Sequence, residues 1–166
     1  MDDLLYQIIA LCTKRTVIIA AENGKRPPKP FFSIESRTAS ALPSHLGAVE
    51  AVGSDFERSV SAHRDLNVSL VGYGKDCMSE LDRIAQYLQT ERIGDFCAAN
   101  NVAIVAIDSL QHIPELQTDM TYENRAVLEF RFRYVASVDE QLNIIDEVHG
   151  LIDDGAKQTN FISKEG

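Results

Sequence analysis

Few residues in this sequence have the types and spacing that chemistry needs. Gly72-Tyr73-Gly74-Lys75 lies between a strand pattern and a helix pattern, where a phosphate loop would sit. A P-loop requires GxxxxGK followed by Ser or Thr, however, and here Lys75 is followed by Asp76, whose carboxylate repels phosphate. A tight strand-to-helix turn is the better reading. The four histidines (His45, His63, His112 and His149) show neither HExxH nor a paired spacing and read as surface or strand residues. No serine sits in GxSxG, so a hydrolase elbow is absent. Cys12, Cys77 and Cys97 are an odd number without CxxC, which favours reduced thiols over a disulfide frame or a zinc site. Asp2-Asp3 and Asp153-Asp154 read as solvated charge near the termini. The sequence therefore predicts no catalytic residue, no cofactor and no bound metal. A site assembled from distant residues stays open, because such sites are recognised by geometry and not by spacing.

One constellation differs in kind. Arg125, Arg131 and Arg133 share a strand face with Glu123 and Glu129, an alternating charge ladder. The plain reading is a solvated sheet face with cross-strand ion pairs. The functional reading is a subunit interface whose charges match between copies and set register. On that second reading Arg125, Glu129, Arg131 and Arg133 are interface candidates. Reversing Arg131 and Arg133 to Glu would then abolish assembly and leave the subunit folded. Phe31 and Phe32, which follow Arg26-Pro27-Pro28-Lys29-Pro30, divide the same way between core anchor and partner contact.

The elements that position these residues follow from periodicity. Leu4, Leu5, Ile8, Ile9 and Cys12 recur at helical spacing behind Asp2 and Asp3, with Lys14 and Arg15 expected in the last turn. Val17–Ala21 reads as a short strand, and the three prolines that follow exclude helix and central strand. Phe31–Ser36 reads as a strand. From Arg37 to Asp55 the pattern fades, which predicts a long loop that orders only against a neighbouring chain. Arg58–Gly72 alternates and predicts a long strand with one wet face. Asp76 is placed to cap a helix over Cys77–Gln89, and a shorter helix follows over Ile93–Ala99. Val102–Ile107, apolar on both faces, reads as a central strand. Glu123–Ala136 alternates clearly and predicts a strand. Leu142–Ile152 fits strand or helix, and residues 153–166 read as a flexible polar tail on a single domain spanning 1–152. The fold class expected is α+β, a mostly antiparallel sheet with helices packed on one face.

Composition sets outer bounds. The chain of 166 residues carries 16 Lys+Arg against 25 Asp+Glu, a net charge of −9, with 45% hydrophobic residues. That is the make-up of an ordinary globular domain, and it disfavours non-specific DNA binding, which needs clustered cations. The longest apolar runs fall far short of the ~20 residues a bilayer span needs. An acidic Met1-Asp2-Asp3 start is unlike a secretory signal, so the cytoplasm is the expected place of synthesis and assembly.

Taken in order, the N-terminal helix, the Val17–Ala21 run into Arg26-Pro27-Pro28-Lys29-Pro30-Phe31, the Arg64–Gly74 strand, the helix opening at Lys75-Asp76 and the Asn124–Tyr134 strand resemble one family. The chain resembles the neck or tail terminator (tail-completion) proteins of long-tailed bacteriophages over residues 1 to 152. The resemblance implies a structural virion protein located in the tail or neck, with no enzymatic role. It implies a hexameric ring that caps the tail tube and joins it to the head connector, while DNA passes through the lumen without specific binding. The implied partners are further copies of the chain, the tail tube protein, the head connector and neck proteins and, where there is one, the tail sheath. No membrane contact is implied. Two other readings remain open on the residues alone: a small cytoplasmic enzyme, and an adaptor or immunity-type binding protein.

Overall fold

The computed structural model describes residues 2–20, 24–52, 55–116, 121–142, 147–153 and 158–164. Along the chain run α1 (Asp2–Cys12), β1 (Thr16–Ile19), β2 (Phe31–Val52), β3 (Asp55–Tyr73), α2 (Cys77–Tyr87) and α3 (Glu91–Ala99). Then come β4 (Val102–His112), β5 (Glu115–Leu116), β6 (Tyr122–Glu123), β7 (Arg125–Leu142), β8 (Glu147–Asp153) and β9 (Gln158–Lys164). The fold is α+β with a mainly antiparallel sheet. Two compact units can be separated, Met1–Ser44 with Ala62–Ala136, and His45–Ser61 with Ser137–Gly166.

The larger unit is built on a five-stranded sheet in the order β1-β2-β3-β7-β4. β1 runs parallel to β2, pairing Val17 with Phe32 and Ile19 with Ile34. β4 runs antiparallel to β7, pairing Ile104 with Phe132 and Leu110 with Leu128. Alternation decides which side of each strand is greasy. Phe32 and Ile34, then Leu66, Val68 and Leu70, then Ala126, Leu128, Phe130 and Phe132 form one apolar face. The three helices bury their stripes on it through Leu5, Ile8 and Ile9, through Leu81 and Ile84, and through Ile93 and Cys97. Apolar area withdrawn from water at this layer is what holds the unit together.

Gly72 marks the closest approach in that layer. A Cβ there would lie 3.0 Å from Phe32 Cε1 and 3.1 Å from Cys77 Cβ. Both neighbours are buried and cannot swing away. The expected result for Gly72→Ala is a loss of about 1–3 kcal/mol from overpacking, read as a lower urea midpoint. An unchanged midpoint would contradict the packing described. Two residues on, Gly74 has φ +96, which side chains rarely adopt, and its N–H donates to the Asn124 carbonyl at 2.9 Å. The Gly-Tyr-Gly sequence is thus a turn that hands the strand to α2.

Several expectations are corrected here. The stretch 37–52 is strand, not loop: β2 continues to Val52. Backbone pairing with a neighbouring strand requires no side-chain alternation, so a strand without one buried face carries no periodic signature. Val102–Ile107 belongs to an edge strand, not a central one, because β4 has a neighbour on one side only. Its exposed positions are Ala103 and Val105, small or β-branched apolar residues that mimic a doubly buried run. Asp76 does not cap α2 with its side chain. It takes a left-handed backbone at φ 62, away from the extended geometry of a capping residue, and its carbonyl instead accepts from Glu80 N–H at 3.0 Å. Lys14 and Arg15 lie beyond the end of α1, outside its last turn.

The smaller unit contains the far parts of β2, β3 and β7 together with the β8–β9 hairpin. Within it Arg58 of β3 pairs with Glu140 of β7 at 2.8 Å. β8 and β9 are antiparallel, with Glu147 opposite Lys164 and Asp153 opposite Gln158. Of the ambiguous stretch 142–152, residues 147–152 are strand, while 143–146 lie outside the described residues. Residues Gln158–Lys164, in the segment read from sequence as a tail, form β9.

Candidate functional site

The face of the sheet turned away from the helices carries the predicted candidates other than Phe32. On β7 it presents Arg125, Glu129, Arg131 and Arg133, because Ala126, Leu128, Phe130 and Phe132 point to the helices. Each of these four charged residues finds a partner inside the same chain. Arg133 grips Asp65 of β3 in a bidentate pair, Nε to Oδ1 at 2.6 Å and Nη2 to Oδ2 at 2.8 Å. Arg131 makes a matching fork with Asp108 of β4, both contacts at 3.2 Å. Arg125 pairs with Glu115 at 2.9 Å, and Glu129 accepts from the Ser109 hydroxyl at 3.4 Å. Cross-strand partners of this kind are the ordinary way a polar sheet face satisfies itself.

The pairs differ in their access to water. Arg131 and Asp108 are open, at 42% and 41% side-chain exposure, whereas Asp65 is nearly closed off at 11%. The forked hydrogen bonds from Arg133 hold the Asp65 carboxyl below its ordinary value, outweighing the opposing effect of burial.

Phe31 and Phe32 fall on opposite sides of β2. Phe32 is sealed in the helix-facing core, 1% exposed. Phe31 stacks on Tyr73 with ring centres 4.7 Å apart, and the Arg26 guanidinium lies over both rings at 5.2 and 4.6 Å. Arg125 reaches the same Tyr73 ring at 5.2 Å, so two cations share one aromatic platform. Arg26 also pairs with Glu123 at 3.0 Å, and Lys29 pairs with the same carboxylate. Burial pushes the Glu123 carboxyl up, but the Lys29 ammonium and Arg26 guanidinium outweigh it and leave it below its ordinary value. The proline-rich segment is thereby tied down to β6.

Asp65, Asp108 and Tyr73 were not singled out by the sequence as partners of the ladder, and Glu123, read as part of it, lies on β6 and pairs with Arg26 and Lys29 instead. Asp65 carried a signal of a kind, a carboxylate on the polar face of an alternating strand. Only strand order, which sequence does not reveal, puts β3 and β4 on either side of β7.

Elsewhere the cysteines are free thiols. Burial pushes Cys77 and Cys97 up, and Cys12 up to about 11, so all three stay protonated at neutral pH. Among the described residues no group of three His, Cys, Asp or Glu is placed to hold a metal ion. No helix among them is long and apolar enough to cross a membrane.

Among the curated proteins none matches this chain. The family model for the phage neck terminator protein matches residues 1–156. That span takes in α1, the paired sheet face, all three helices and β7, and on it the chain belongs to the family of phage neck terminator proteins.

Proposed function

We propose that copies of this chain close into a ring that caps the tail tube and joins it to the head connector, leaving a lumen for DNA. Membership of the neck terminator family over residues 1–156 carries the reading. The role is structural: it requires surfaces that hold partners, and no catalytic group. The net charge of −9 suits a wall past which DNA slides without sticking.

Of the predicted interface residues, Arg131 and Glu129 are the ones we assign to contact between copies, because the Arg131 fork is open to water. Arg133, Phe31 and Phe32 serve the subunit itself, and Arg125 is shared between Glu115 and Tyr73. A head-to-tail contact between unlike patches closes into a ring when the rotation allows.

The test is a mass measurement in solution, with the 18.4 kDa protein alone and mixed with tail tube protein. A ring of six, as the resemblance implies, has a mass of about 110 kDa, six times 18.4 kDa. A strict monomer that stays unbound to tube protein at every concentration would overturn the proposal.

A further inference from the structure

The charge of this chain is unevenly distributed. The smaller unit, His45–Ser61 with Ser137–Gly166, has ten acidic residues against three basic ones, a net −7. The larger unit, with more than twice as many residues, holds the remaining −2. Within the acidic unit, Asp139 and Glu140 at the end of β7 are exposed.

A patch of opposite sign lies at the C-terminal end of α1. A cleft of about 540 Å³ is lined there by Lys14, Arg15, Arg83 and Arg92, with Glu80 as its one carboxylate. Arg15 and Arg83 share that carboxylate, at 3.6 and 3.5 Å, so the balance of the cleft is positive. Lys14, Arg83 and Arg92 are exposed. Leu11 and Tyr87 also line the cleft and are 38% and 45% exposed, large apolar groups that water does not favour. Arg and Tyr beside a Leu is the composition of a protein contact, where a nucleic-acid track would need cations without that apolar surface.

We infer that the basic cleft formed by Lys14, Arg83 and Arg92 receives the acidic smaller unit of a second copy, around Asp139 and Glu140. The contact joins two unlike patches, so it is head-to-tail, and each copy offers both halves. It rests on the proposal that copies assemble, and adds where they touch. Charge complementarity selects the partner: each copy carries, in a unit of net −7, the surface its neighbour's cleft requires.

The experiment uses full-length protein, half of it labelled with heavy nitrogen, joined by a zero-length carbodiimide reagent and read by mass spectrometry. A link between Lys14 of one isotope and Asp139 or Glu140 of the other is expected. Links confined to single isotopes overturn the inference. In parallel, R83E with R92E is expected to lower the assembled fraction about tenfold at an unchanged urea midpoint, since both residues are exposed. Adding D139K to that variant is expected to recover part of the lost assembly, since Asp139 is exposed. Full rings in the R83E, R92E protein overturn the inference and leave the ring proposal standing. Loss of affinity for a short DNA duplex with rings intact also overturns it. A wild-type protein that never assembles removes the ring proposal itself.

Discussion

Replacing Phe32 by alanine is expected to cost about 3–5 kcal/mol of folding stability, a large share of the ~5–15 kcal/mol that holds a domain of this kind together. The side chain is 1% exposed and belongs to the cluster in which all three helices meet the sheet. Its ring lies in the space that Gly72 leaves vacant, and the Arg15 guanidinium approaches it at 6.0 Å. Removing the ring opens a cavity that close neighbours can only partly fill, since β2 is held between β1 and β3. The expected reading is a urea midpoint far below wild type with an unchanged slope, because the surface exposed on unfolding stays similar. Tyr6→Ala serves as control: on α1 it is 42% exposed and should cost little. If Phe32→Ala keeps its midpoint but stops assembling, Phe32 is a partner contact and the core described above is wrong.

Phe32 also shows which parts of the fold could be read from sequence. Elements packed on the core advertise themselves, because burial of one face imposes period 3.6 on α1 and α2 and period 2 on β7. The stretch 37–52 lacked that imprint although it is strand, and hydrogen bonding to a neighbour leaves no trace in residue type. β4 misled for the opposite reason: Ala103 and Val105 are apolar but exposed, so an edge strand carried the composition of a buried one. The candidate site was half legible. The arginines on β7 were visible by spacing, but their partners Asp65 and Asp108 stand 68 and 23 residues away along the chain. Distance of that kind is resolved by strand order alone. The cleft cations Lys14, Arg83 and Arg92 come from three segments and share no motif, although the concentration of acid in residues 137–154 was open to counting.

Reversing Arg133 to Glu is expected to destabilise the subunit, not merely to release its neighbours. The new carboxylate would face Asp65, which is 8% exposed and has lost its forked partner. Asp65 would keep its charge in a nearly closed position beside a like charge, although the Arg133 side chain itself is 37% exposed, and breaking a pair from one side costs more than removing both. The double change Arg131 and Arg133 to Glu therefore cannot report on an interface, contrary to what the sequence alone suggests. Acid supplies an independent check. The Asp65 carboxyl is held below its ordinary 3.8, so its contribution is fully present above that value and is lost as pH falls below it. Asp65→Asn should accordingly lower the urea midpoint at pH 7 and flatten the acid limb, with the Glu123 contribution remaining because its carboxyl is lowered separately. The swap of Asp65→Arg with Arg133→Asp should recover part of the loss, as the fork can re-form across the same strands. Arg131→Glu is the clean probe of assembly, because its pair with Asp108 is open to water and worth little to the fold. A variant that keeps its urea midpoint but falls to monomer places Arg131 between copies. One that keeps both midpoint and ring leaves the outer ladder a solvated face.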